Sequence, residues 1–222
     1  MKKLYSILFF MILILLVGTV IFLILSPDQI PVHMNFSGEV DRIGSKYEYL
    51  VFPAIGAGLG LFFYLMAKIE TKKGEESNEK ILLYCAIGTI LLLTVLGFYF
   101  MFQASRYDGG ASSGGSFGNV NQLMNVGIGV LLVVLGNIMP KARMNSMFGI
   151  RTSWSMSSDS VWQKTQRFGG IVCVICGLLM ILLSLFIPGD WNMYVMIGII
   201  AVMAIVTSAA SYKYYVADKQ KG

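Results

Sequence analysis

From Leu4 to Leu25 the chain carries no charge, and five further stretches are nearly as apolar. A helix that crosses the hydrocarbon core of a bilayer needs about 20 predominantly apolar residues. The six stretches run from Leu4 to Leu25, Leu50 to Ala67, Ile81 to about Gln103, about Leu123 to Met139, Phe168 to Ile187 and about Trp191 to Ala210. In lipid, backbone polar groups are satisfied only in helices or closed barrels. The pattern predicts an all-α integral membrane protein with six transmembrane helices, forming a single membrane domain over residues 1–222. Its parts are 1–67 (two spans and the loop between them), 68–122 (the third span and a loop) and 123–222 (the last three spans).

Composition leads to the same place. The chain is 56% hydrophobic and 13% charged, about half the charged share of a soluble domain. So little polar surface cannot cover a soluble protein of this size. The net charge of +5 is scattered between apolar runs, which fits contact with anionic lipid and control of topology rather than nucleic acid. Lys2 and Lys3 precede the first span as they would in a secretion signal. Its apolar run is too long for a signal core, however, and Ser26-Pro27-Asp28 follows instead of a small-residue cleavage site, so it reads as an uncleaved anchor.

Lysine and arginine set the orientation. With the N-terminus in the cytoplasm, the outer segments hold only Arg42, Lys46 and Arg106, and the other 14 of the 17 cations lie inside. Cations near span ends stay cytoplasmic, so both termini are expected inside. Outside lie 26–49, a glycine- and serine-rich tether containing DGGASSGGSFG, and a tight turn at Pro188 to Asp190. Inside lie KIETKKGEESNEK, which reads as a solvated connector, and the segment PKARMNSMFGIRTSWSMSSDSVWQKTQRFGG.

Residues able to carry chemistry are few. The outer stretch has Pro27 and Pro31, which bias their neighbours to extended backbone, and Gly38 and Gly44, which permit turns. His33, the only histidine, stands there with Asn35, Asp41, Ser45 and Lys46. A metal site would need His33 with Asp28, Glu39 or Asp41. The stronger reading is turn-capping in a compact loop, and no metal or cofactor is expected. Asn35-Phe36-Ser37 matches a glycosylation sequon. Cys85, Cys173 and Cys176 lie in apolar runs and read as buried packing residues. Gly56-x-x-x-Gly60 reads as a helix-packing site. No acidic or basic residue falls well inside a span, which counts against ion-coupled transport. No nucleophile–base pair is visible, so no enzymatic activity is expected.

The inner segment is the richest. Pro140 ends the fourth span. Ser157, Ser158 and Asp159 suit a helix N-cap, so the fifth helix is expected to start near Asp159 at the interface and run into the membrane. Trp154 and Trp162 suit headgroup depth, and Arg151, Lys164 and Arg167 can reach phosphates.

This segment resembles the signature of the SdpI family, immunity proteins against the sporulation-delaying peptide toxin. Gly136, Asn137, Met139, Pro140 and Lys141 match its first part. Gly149, Ile150, Arg151, Thr152, Trp154 and Ser157 match its second. Val161, Trp162, Thr165, Arg167 and Gly170 match its third. The stretch from Pro27 to Lys46 is similar to the N-terminal membrane domain of the same proteins. Ser153 replaces the usual proline, Ser155-Met156 the usual Thr-Leu, and Gln166 the usual histidine, whose titration glutamine cannot reproduce. The resemblance implies protection from a membrane-active peptide toxin met by the outer loop. It also implies a cytoplasmic repressor held through the inner loop, with Asn137, Pro140, Gly149, Arg151, Thr152, Trp154, Trp162, Thr165 and Arg167 as the binding residues. The alternative is a small transporter or lipid-handling protein, with Arg151 and Arg167 on a phosphate.

Overall fold

A computed structural model describes residues 1–35, 40–107, 120–187 and 189–220. Six helices are long and apolar enough to cross a membrane. They are α1 (Lys2–Leu25), α2 (Val51–Lys72), α3 (Glu76–Ser105), α4 (Val120–Ile138), α5 (Asp159–Phe186) and α6 (Gly189–Lys219). The protein is a multi-pass, all-α membrane protein with one small addition. Between α1 and α2 lie two strands, β1 (Gln29–Met34) and β2 (Val40–Ser45), and a 3-10 turn, Lys46–Leu50.

The helices form two groups of three. Within one, α3 packs on α1 and α2; within the other, α5 packs on α4 and α6. The groups meet more sparingly, where Leu131 of α4 faces Gly88 and Leu92 of α3 faces Gly127. Most side chains of α1 face outward; only Leu8, Leu15 and Thr19 are buried. A helix apolar on all sides is stable in that setting because lipid, not protein, covers it. Hydroxyls inside the spans turn back on their own helices: Thr19 donates to the Leu15 carbonyl at 2.8 Å, Thr94 to Ile90 at 2.7 Å and Thr207 to Met203 at 2.8 Å.

Glycines place the closest contacts. On α2, Gly56 and Gly60 receive Leu15 and Ile12 of α1, while Gly58 faces open space, so the Gly56-x-x-x-Gly60 pattern is a helix-packing seat within the chain. The tightest crossing lies elsewhere. A Cβ added to Gly177 would stand 2.5 Å from the Gly129 carbonyl oxygen, and one added to Gly170 2.5 Å from that of Gly136. Two glycine pairs seven residues apart thus let α4 and α5 run antiparallel with their backbones in contact.

The outer stretch is a β-hairpin rather than an irregular loop. Its strands pair antiparallel from Gln29↔Ser45 to Met34↔Val40, with a register shift between Pro31 and His33. Proline cannot donate to the ladder, and a bulge beside it accommodates that loss. The hairpin rests on α1 and α3 through Ile30, Tyr49, Met101 and Ala104, with Phe22, Phe52 and Phe98 around them. Tyr49 donates its hydroxyl to the Pro31 carbonyl at 2.9 Å. The glycine- and serine-rich tether at 108–119, and Pro188 of the expected turn, lie outside the described residues.

Three helices outrun the bilayer. At 1.5 Å per residue, α3, α5 and α6 are about 42–46 Å long, against about 30 Å of hydrocarbon. The connector between α2 and α3 is consequently not a solvated loop. At about 33 Å α2 just clears the oil, α3 runs well past it, and the two turn within Lys73 to Glu75, where Gly74 takes φ 79°.

Candidate functional site

The two candidate regions lie at opposite ends of the bundle: the loop between α4 and α5, and the hairpin. The loop starts where Pro140 enters a 3-10 turn, Met139–Lys141, and ends where Ser158 caps α5 by accepting from the Val161 amide at 3.3 Å. The expected start of α5 at Asp159 is observed.

Gln166 holds the middle of the loop. Fully buried, it accepts from the Ile150 amide at 3.0 Å and donates to the Ile150 carbonyl at 2.9 Å. Gly149 just before takes φ 102° and lies directly over the Gln166 amide, where a Cβ would collide with it. Gln166 is thus a structural tie. Thr152 and Ser155 close the next turn reciprocally. The Thr152 amide donates to the Ser155 hydroxyl at 2.9 Å, the Ser155 amide to the Thr152 hydroxyl at 3.0 Å, and the Ser155 hydroxyl to the Ile150 carbonyl at 2.9 Å.

The loop fastens to both helix groups. Toward α6, the hydroxyls of Thr152 and Ser211 are 2.7 Å apart, the rings of Trp154 and Tyr212 meet at 5.1 Å, and Ser158 donates to Asp218 at 2.8 Å. Toward α3, the Arg143 amide donates to the side chain of Asn78 at 3.2 Å, Ser77 donates to the Lys141 carbonyl at 3.2 Å, and Arg143 pairs with Glu75 at 3.3 Å. Trp162 lies between them, 1% exposed, donating its indole N–H to the Ala142 carbonyl at 2.8 Å in a cluster with Ile81 and Cys85. Trp162 therefore meets protein rather than the headgroups expected for its ring, because its face of α5 points inward.

A buried polar group missed in the sequence supports this end. Glu70 and Glu79 are 2% and 3% exposed. Glu70 accepts from Asn78 at 3.1 Å and pairs with Lys73 at 2.8 Å, and Tyr5 donates to Glu79 at 2.8 Å. The signal was present: Glu79, Leu83, Ala86 and Ile90 are all buried at the three- and four-residue spacing of one helix face. Read as part of a loop, that spacing had no meaning.

The remaining residues expected in the inner site do not converge. Asn137 is exposed and donates to the Val133 carbonyl of its own helix at 2.8 Å. Pro140 packs beside Gly170. Arg151 and Arg167 are exposed and form no ion pair among the described residues. Thr165 is buried, its hydroxyl without a hydrogen-bond partner among the described residues.

In the hairpin, His33 and Asp41 are 2.6 Å apart, and Arg42 grips Glu48 at 2.8 Å. Lys46 pairs with Asp28 at 3.2 Å and donates to the Ser26 carbonyl at 3.0 Å, while Ser45 accepts from the Tyr47 amide at 3.4 Å. Asp28 thus points to Lys46, not to His33. Asn35 is exposed. Gly38, Glu39 and the rest of the sequon lie outside the described residues. At depth, Cys173 and Cys176 are free and buried, and the Cys173 sulfur is 3.7 Å from those of Met139 and Met203.

Two family profiles fall on these two ends. The SdpI/YfhL protein family matches residues 141–211, from the loop through most of α6. The chain carries an SdpI/YfhL family region. A domain of unknown function (DUF1648) matches residues 6–57, which include the hairpin. The chain is also similar to the immunity protein SdpI of Bacillus subtilis (strain 168), at 25% identity over 189 residues, 85% of this chain and 84% of that protein. No solved structure gives a significant match. The loop built on Gln166 is thus the SdpI-type segment, and the hairpin belongs to the region of unassigned function.

Proposed function

We propose that the protein is an immunity protein of the bacterial plasma membrane that protects its cell from a membrane-active peptide toxin. The observation that carries this is the likeness to immunity protein SdpI over 85% of the chain. The distribution of lysine and arginine supports an orientation with both termini and the SdpI-type loop in the cytoplasm and the hairpin outside. In this reading the hairpin, with His33, Asp41 and Lys46, meets the toxin. The loop then passes the state of the α1–α3 group to α6 through Asn78, Trp162 and Thr152. A cytoplasmic repressor reads the exposed surface around Arg151 and Trp154. Toxin changes that surface only by favouring one arrangement of the two helix groups over another. No residue is assigned a catalytic role.

Expression in a toxin-sensitive strain tests the reading. Growth at an otherwise lethal dose is expected, and no protection from a well-inserted protein would overturn it. Orientation is checked with a membrane-impermeant thiol reagent on intact cells, the three native cysteines being buried. Tyr47→Cys should be labelled and Ser153→Cys should not; the reverse pattern would invert the assigned roles.

A further inference from the structure

Where Gly136 and Gly170 bring the backbones of α4 and α5 together, each helix also carries an exposed row. On α4 that row is Val130, Val134 and Asn137, with Lys141 in the 3-10 turn that follows, all exposed; on α5 it is Arg167, Ile171, Ile175, Leu178 and Leu182, all exposed. Each row keeps helical spacing and lies beside the buried glycine seam, so both rows face the bilayer.

Each row ends in a cation. Lys141 closes the first and Arg167 the second, with Lys164 one turn beyond Arg167. Their depth follows from length. Counting about 20 residues of α5, one bilayer crossing, back from Phe186 reaches Arg167, which puts its guanidinium at the phosphate layer. Arg42, Lys46, Lys73 and Arg143 each meet a carboxylate, whereas Lys141, Lys164 and Arg167 meet none among the described residues. Asn137 completes the arrangement. Its amide spends one hydrogen on Val133 and stays exposed on a lipid-facing row, a costly place for a polar group with nothing to bond.

We propose that these two rows and the cations that end them bind one anionic phospholipid of the cytoplasmic leaflet. Arg167, Lys141 and Lys164 surround its phosphate, Asn137 meets the ester oxygens below, and an acyl chain lies along Val134, Ile171 and Ile175. The planar fork of Arg167 suits a phosphate. A soluble acidic partner would not need its cations to cap two lipid-facing rows. The site depends on the orientation for its leaflet and is independent of any toxin.

Native mass spectrometry of the full chain in mild detergent, titrated with phosphatidylglycerol and with phosphatidylcholine of the same chains, tests this. Wild type is expected to prefer phosphatidylglycerol by roughly tenfold or more, and the K141Q/R167Q double variant to lose that preference. Asn137→Leu keeps every charge and should weaken both lipids, which decides the matter if the double variant does not fold. Arg143→Gln, whose cation serves Glu75, should leave binding unchanged. Equal binding of the two lipids by wild type would overturn the proposal. So would Arg143→Gln costing as much as Arg167→Gln, displacement of the lipid by inorganic phosphate alone, or its displacement by a soluble polyglutamate peptide, which would mark a protein-binding surface.

Discussion

The SdpI-type loop and the hairpin are both short, polar segments between spans, yet they are held differently. The loop is fixed by hydrogen bonds from three buried side chains: Gln166 to Ile150, Trp162 to Ala142, Asn78 to Arg143. It touches both helix groups, so neither group moves without it. The hairpin rests on one group, held by the Tyr49 hydroxyl on Pro31, and its His33–Asp41 and Arg42–Glu48 pairs face water; His33 and Asp41 are 61% and 43% exposed. Exposed pairs are each worth little, about 0–1 kcal/mol. Buried polar groups left without partners cost more, about 1–3 kcal/mol each. The hairpin is thus the end that a ligand can reshape cheaply, and the loop is the end that keeps its form.

The contrast can be broken from the loop side first. Trp162→Ala empties a fully packed site and strands the Ala142 carbonyl, and should cost about 3–5 kcal/mol, read as a large fall in the midpoint of thermal unfolding in detergent. Next, Gln166→Leu keeps most of the volume but leaves the Ile150 amide unpaired and its carbonyl with the Ser155 hydroxyl alone. About 2–3 kcal/mol is expected, with faster proteolysis within 143–158 while the hairpin stays protected. At the small end, Arg42→Gln in the hairpin should change stability by less than about 1 kcal/mol while lowering protection against toxin. A loss of stability from Arg42→Gln as large as that from Gln166→Leu would erase the distinction between the two ends.

The spans were legible because lipid imposes a simple rule on length and polarity, and the start of α5 was legible because Ser158 and Asp159 are strong local capping signals. The loop's interior was less so. The sequence shows that Trp162 is amphipathic but not which way its face of α5 points; the buried set Val161, Trp162, Thr165, Gln166 and Gly169 makes sense only as the seam against α3, α4 and the loop. Glu70 and Glu79 were hidden for a related reason. Charged residues just past a span read as solvated, and only the length of α2 and α3 beyond the bilayer carries their inward stripe on. The α4–α5 crossing was missed because its glycines stand seven residues apart on each helix, Gly129 and Gly136 on one and Gly170 and Gly177 on the other, outside the four-residue pattern that draws the eye.

From Gly189 to Lys219, α6 is one unbroken rod. Near one tip, Asn125 is bonded to Asn192 at 2.8 Å; at the other, Ser211, Tyr212 and Asp218 hold the loop. A rod fastened at both tips ties the far end of α4 to the loop, so neither tip shifts without straining the other, and no chain of polar side chains through the oil is needed for that.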